Sequence, residues 1–399
     1  MLSLEEALEK LLASVRSVEG SESCPVSSAV GRFVTQDILA KSALPPFDNS
    51  AMDGYAVRSA DIRGAGLDKP VRLHCIASVP AGQCFSGTIA AGQCARIFTG
   101  SPLPAGADAV VMQEDTRVHA AEVDVLDAVK PWENIRFEGE DIKESASIAK
   151  AGARVTAQTA ALLCACGVAE IPVRRFVRVA ILATGGELKN PGDTLGSGEI
   201  YESNRILISA LSRGIGVEPI LHDIVQDDLA ATVQAIRHAS AADTIITCGG
   251  VSVGEYDFVK AAIYELGGAV DFWRVAIKPG KPFAHARVFD KPLFGLPGNP
   301  VSALVTFWLL VRPALLKMAG AADFAPTISF GTLAEEISNP GDRRHFVRVT
   351  IDSTGNVRAS GPQASHRLGS LAAANGLLDV PACAVFEPGK IVKVLLLPN

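Results

Sequence analysis

Three stretches of the chain join an apolar run to a glycine turn and then to a polar or helical segment. They are Val179 to Leu188 (VAILATGGEL), Thr244 to Lys260 (TIITCGGVSVGEYDFVK) and LFGLPGNPVSALVTF, whose turn is Pro297-Gly298-Asn299-Pro300. Glycine allows backbone N–H groups to come close to a ligand, and a helix start adds unpaired donors and a positive dipole end. Each stretch is therefore the sequence form of an oxyanion site, with Gly249, Gly250, Ser252, Pro297, Gly298, Asn299 and Pro300 as candidate contacts.

Acids recur at the same turns. Glu187 follows the first, Glu255 and Asp257 follow the second, and Asp227 ends the strand-like run EPILHDIV. Carboxylates at a helix start also stabilise its dipole, so capping is the alternative reading of Glu255 and Asp257. With Glu187, Asp227 and Asp257 on one rim, mutual repulsion makes a shared divalent cation, Mg²⁺, physically reasonable. Positive charge comes from Asp271 to Pro282 (DFWRVAIKPGKP): Arg274 and Lys278 share a face of an extended strand, and Lys281 lies in the turn beyond.

Weaker signals lie on either side. The loop LPPFDNSAMDGYAV is crowded with Asp48, Asn49, Ser50 and Asp53, residues that favour turns and also make ligand contacts. In IFTGSPLP, Thr99 and Ser101 could hydrogen-bond an oxyanion, although Thr-Gly turns are common. NIRFEGEDI sets Arg136 beside Glu138, Glu140 and Asp141, where a solvated ion pair is the default. Near the C-terminus, Arg343, Arg344 and the loop from Ser365 to Ser370 could meet an anion, with surface solvation the plainer account.

The elements that must hold these residues follow from pattern. A length of 399 residues suggests two to four domains at about 150 residues each. MLSLEEALEKLLASV has an amphipathic helical period and no basic or apolar segment of a signal peptide. From Val71 to Val129, short alternating runs separated by Gly and Pro indicate a compact β-domain. Thr156 caps a helix that Gly167 closes, and Val168 to Arg178 has the composition of a linker. From Arg178, strands alternate with helices, which implies a mostly parallel sheet binding ligand beyond its carboxyl ends. After Ala325 the segments are strand-like, as in a small β-barrel or sandwich.

The expected architecture is thus multidomain α/β plus β. A doubly wound α/β domain (176–325) carries the site. A β-rich inserted domain (25–141), an elongated helical linker domain (1–24 and 142–175) and a C-terminal β-barrel (326–399) complete the chain. A net charge of −6 with no long basic face argues against nucleic acid. The apolar run Val301 to Val311 stops at Arg312 and Pro313, short of a membrane span. The eight cysteines lack zinc or redox spacing and suit buried, reduced thiols, so a cytoplasmic location is expected.

Taken together, FDNSAMDGYAV, IFTGSPLP, NIRFEGEDI, ATGGEL, CGGVSVGEYDFVK, WRVAIKPGKP, GLPGNPVSA and the C-terminal SH…GSLA region resemble one family, the molybdopterin molybdenumtransferases of the MoeA type, which include the C-terminal domain of gephyrin. The matching stretches run in family order from residue 47 to about 371. The resemblance implies a homodimer in which the α/β domain of one subunit faces the β-domain of the other. It implies insertion of molybdate into adenylylated molybdopterin, with Mg²⁺-dependent release of AMP. It carries functional roles to Asp53, Thr99, Asp141, Glu187, Asp227, Asp257 and Lys278, and substrate contacts to Arg136, Arg274, Pro297, Pro300, Arg343 and Ser370, beside the Lys281 contact read from the residues themselves. Arg274 stands where some members have Lys, and Arg343 lies in a stretch that matches less closely. Molybdopterin adenylyltransferase and cofactor-accepting apoenzymes are the implied partners. An adenylyltransferase, which would need ATP, and a non-catalytic scaffold are the competing readings.

Overall fold

Along Arg178–Thr184 every second residue buries on the same side: Val179, Ile181 and Ala183 enter one apolar cluster, Ala180 and Leu182 the other. That alternation requires cover on both faces, since each fully buried aliphatic side chain contributes about 1.5–3 kcal/mol. The computed structural model describes residues 1–251 and 258–398. It shows this strand (β1) in a six-stranded sheet with β2 (Glu218–Val225), β3 (Thr244–Cys248), β4 (Ala269–Arg274), β5 (Pro282–Val288) and β6 (Lys291–Leu296). The order is β2-β1-β3-β6-β5-β4; β2, β1, β3 and β6 are parallel, and β5 is antiparallel to both neighbours. The helices Leu229–Ala239 and Phe258–Glu265 cover one face, and Asn204–Gly214 and the run Pro300–Met318 the other.

The run Pro300–Met318 corrects the expectation that the apolar stretch stops at Pro313. It spans 19 residues at mean hydropathy 1.5, enough in length to cross a membrane, yet 83% of the window is buried inside the protein. Pro313 lacks an N–H and its ring crowds the carbonyl four residues back, so the chain makes a π-turn over Phe307–Val311 and continues.

Residues 1–24, expected to group with 142–175, divide between two bodies. Ala7, Leu11 and Val15 of the helix Leu4–Ser14 bury in the α/β core. The strand Ser21–Pro25 instead pairs antiparallel with Glu170–Arg174. The stretch expected to be a linker therefore contains a strand, because Ile171 and Val173 alternate inward onto Cys24, Val26 and Leu163. The inserted domain is a six-stranded sheet from Gly54–Val57 to Glu122–Val125. The C-terminal strands close into a barrel, Arg344–Ile351 pairing with both Asn356–Ala359 and Gly376–Val380. All eight cysteines are free; Cys84, Cys164 and Cys383 are exposed, so burial does not hold for the whole set.

Several contacts stitch the barrel to the α/β domain, among them a short ladder and an ion-pair bridge. The short strand Ile277–Lys278 pairs in parallel with Arg344-His345. Arg344 forms ion pairs with Glu5 of the first helix and with Asp379 of the barrel. His345 is 6% exposed, and burial, followed by the charges of Lys278, Arg348 and Arg343, pushes its imidazole from 6.5 down to about 4. Within the α/β domain, Arg205 is held by Glu202 at 2.9 Å with both side chains nearly sealed, and its guanidinium also reaches Asn190 Oδ1 and the His222 carbonyl.

Removing one partner of that pair strands the other charge. Arg205→Leu is expected to cost about 3–5 kcal/mol in urea unfolding; a loss under about 1 kcal/mol would show that Glu202 is compensated otherwise. For His345 the folded value lies below the unfolded one, so the unfolded chain binds the extra proton between pH 6.5 and 4. Stability from this group is full above pH 6.5 and falls as the pH drops towards 4. Over that window the wild-type chain should lose up to about 3 kcal/mol that His345→Gln retains, read from unfolding curves at a series of pH values.

Candidate functional site

Four strand ends converge at the carboxyl edge of the sheet, on both sides of β1, where the order of connection reverses. β1 ends in Gly185-Gly186-Glu187, β3 in Gly249-Gly250, β6 in Pro297-Gly298-Asn299, and β2 in Gln226-Asp227. The turns touch one another. Gly249 and Gly250 have φ of 93° and 67°, and a Cβ on Gly249 would lie 2.7 Å from the Thr184 carbonyl oxygen. No other residue fits there. Gly186 N–H donates to Asp227 Oδ2 at 2.8 Å and Gly249 N–H to the Leu296 carbonyl at 3.0 Å, so neighbouring turns are tied directly.

The result is a cleft of about 790 Å³ between this rim and the barrel. It brings together Glu187, Asp227, Gly249, Gly250, Lys278, Lys281, Pro297, Gly298, Asn299 and Arg343. Ser252 and Asp257 lie outside the described residues. Among the described residues no group of three or more His, Cys, Asp or Glu side chains could hold a metal, which leaves Glu187 and Asp227 as the acids facing this space. Burial is the main cause of the fall in the His345 pKa, and the neighbouring cations Lys278, Arg348 and Arg343 add to it.

Other expected residues stand apart from the cleft. Arg274 ends β4 and is exposed, with its backbone paired to Pro282. Pro300 opens the helical run, and Val301 N–H behind it is used by the Ser365 carbonyl at 3.2 Å. Ser370 is buried, its hydroxyl donating to the Pro362 carbonyl at 2.9 Å and accepting from Arg348 Nη2 at 3.0 Å. Arg344, a candidate anion contact, is committed to Glu5 and Asp379.

Asp53, Thr99, Arg136 and Asp141 belong to the stretch 25–141 and do not line the cleft of their own chain. Asp53 Oδ1 accepts from both the backbone N–H and the hydroxyl of Thr99 at 2.8 Å, and these two bonds, the backbone one first, hold its carboxyl below the usual range. The loop is locked by Ser50 N–H to the Ser101 carbonyl, Gly100 N–H to the Ser50 carbonyl, and the Asn49-Ser50 pairing with Ile135-Arg136.

Arg348 was not singled out from the sequence. It is fully buried, and its Nη2 donates to the Pro362 carbonyl at 2.7 Å while Nε and Nη1 have no partner. It thereby holds the loop whose Gln363, Ala364 and Ser365 line the cleft. An arginine amid the apolar positions of HFVRVT was the available signal.

Models of known families match three successive parts of the chain. They are the MoeA N-terminal region (domain I and II) over residues 2–167, a probable molybdopterin binding domain over 180–317, and the MoeA C-terminal region (domain IV) over 331–397. The chain is 40% identical over 364 residues to molybdopterin molybdenumtransferase 2 of Mycobacterium tuberculosis, covering 90% of each protein. It is 36% identical to the molybdopterin molybdenumtransferase of Haemophilus influenzae, covering 94% of this chain and 93% of that one. The molybdopterin biosynthesis MoeA protein of Pyrococcus horikoshii OT3 superposes with a TM-score of 0.85 at 31% identity over the full length of both chains. With identity of this level across nine-tenths of its length, the chain belongs to the molybdopterin molybdenumtransferase family.

Proposed function

We propose that this chain inserts molybdate into adenylylated molybdopterin and releases AMP. The observation that carries this reading is the cleft itself: three glycine turns, Lys278, Lys281 and Arg343 face two carboxylates, Glu187 and Asp227. Backbone donors and cations suit a tetrahedral dianion and a phosphoanhydride. The acids suit a hard cation, since Mg²⁺ typically binds one or two carboxylates together with substrate phosphates. The donor chemistry fits: Asp227 uses Oδ2 on Gly186 and keeps Oδ1, and neither Asp227 nor Glu187 forms an ion pair among the described residues. When bound, Mg²⁺ would polarise the phosphoanhydride. Lys278, Lys281 and Arg343 would hold the phosphate and molybdate oxygens and offset the charge that develops as AMP leaves.

Residues outside the cleft complete the reading. Asp53, Thr99, Arg136 and Asp141 do not line their own cleft, and a second copy of the chain would supply them in a homodimer. Asp53, already kept ionised by Thr99, would face the opposite cleft as a fixed negative group.

Incubation with adenylylated molybdopterin, molybdate and Mg²⁺ should release AMP without ATP. Glu187→Ala and Asp227→Ala should each slow that release by about 10²-fold or more while remaining folded; wild-type rates in both would remove the acids from the chemistry. A shared site makes a further demand. Mixing inactive Asp53→Ala and Glu187→Ala proteins should restore about a quarter of wild-type activity through exchanged dimers with one intact site. No recovery after demonstrated subunit exchange would place both groups in one chain.

A further inference from the structure

A turn that receives an oxyanion must show it N–H groups and hide its carbonyls. The Pro297-Gly298-Asn299-Pro300 turn has no ladder to settle which way its peptide planes face. Asn204, the first residue of the helix Asn204–Gly214, supplies that constraint: its Nδ2 donates to the Gly298 carbonyl at 2.6 Å. The Gly298-Asn299 peptide is not among the cis bonds of the chain, and in a trans peptide the carbonyl and the following N–H point to opposite sides. A Gly298 carbonyl held towards Asn204 therefore sends the Asn299 N–H the other way. Asn299 lines the cleft, and its N–H has no internal acceptor among the described residues. Pro300 has no N–H, that of Val301 is taken by Ser365 and that of Ala303 by the Asn299 carbonyl, so among the described residues the Asn299 and Ser302 groups are the donors left where the helix begins, both on cleft-lining residues.

Asn204 is an unusual residue to find there on grounds of stability. It is 9% exposed, and its Oδ1 is buried with no partner. Flipping the amide would only turn that oxygen onto the Gly298 carbonyl. The position is nevertheless fixed from both sides, because Glu202 Oε1 accepts the Arg205 N–H and Oε2 its guanidinium. A buried unsatisfied acceptor is a cost to folding, and the bond it accompanies serves the turn.

We infer that Asn204 is a positioning residue: by holding the Gly298 carbonyl away it fixes the polarity of the third turn, so that the Asn299 N–H meets a phosphate oxygen of the substrate. The inference rests on the transferase reading only for the identity of the phosphate carrier. Two assays on Asn204→Ala test it. Calorimetric titration with inorganic pyrophosphate should show affinity about tenfold weaker than wild type, and KM for adenylylated molybdopterin should rise by a similar factor with kcat changed less than about threefold. Its Tm should fall by no more than about 3 °C, since the orphaned oxygen is lost together with the bond. Unchanged pyrophosphate affinity would overturn the inference. So would an unchanged KM with kcat falling in step with the folded fraction, the mark of a purely structural role. If Asn204→Ala does not fold, the same titration on Asn204→Leu, which fills similar space without a donor, decides, with weakened binding supporting the role and wild-type binding refuting it. Should wild-type protein release no AMP, the transferase reading fails, while the pyrophosphate titration still judges Asn204.

Discussion

The rim of the α/β domain rests on close approach between backbones. Gly249 sits so near the Thr184 carbonyl that any Cβ would overlap it, and Gly298 lies against Gly249 in turn. Three strand ends can share one small space only because these positions carry no side chain. The charged groups then have no choice of place. Glu187 and Asp227 arrive at one rim because the turns that bear them are already in contact.

The barrel supplies the opposite wall and part of the field. Its Arg343 lines the cleft and donates to the Ile277 carbonyl at 3.0 Å, beside Lys278. Burying His345 under these cations favours its neutral form, so the site keeps its positive character without adding a titrating charge near neutrality. Arg348 works at one remove, bracing the loop that carries Ser365 over the start of the helical run.

Much of this was legible in the chain. The glycine turns, the acids after them and the alternation of strands with helices have local signatures, because each depends on residues within one turn of the sequence. The barrel and inserted sheet were legible for the same reason, as short alternating runs between Gly and Pro. What local pattern could not supply was pairing at a distance. The strand at Glu170–Arg174 exists because Ser21–Pro25 lies beside it, and the burial of Ser370 and Arg348 depends on a loop folding back over a barrel strand. Pro313 reads as a helix stop from its chemistry, yet packing on every side of Phe307–Val311 outweighs one lost hydrogen bond, and the chain shifts to a π-turn. Asn204 gave no signal, since an asparagine at a helix start reads as ordinary capping.

The barrel's only ladder to the rest of the protein among the described residues is two residues long. That short seam is reinforced by Phe346, Leu371, Leu377 and Leu397, which share the apolar core of the α/β domain, and by the Glu5–Arg344–Asp379 bridge that leaves from the ladder itself. Glu5 belongs to the first helix and does not line the cleft. An acidic residue near the start of the chain thus helps to brace a wall whose Arg343 lines an opening encoded hundreds of residues later.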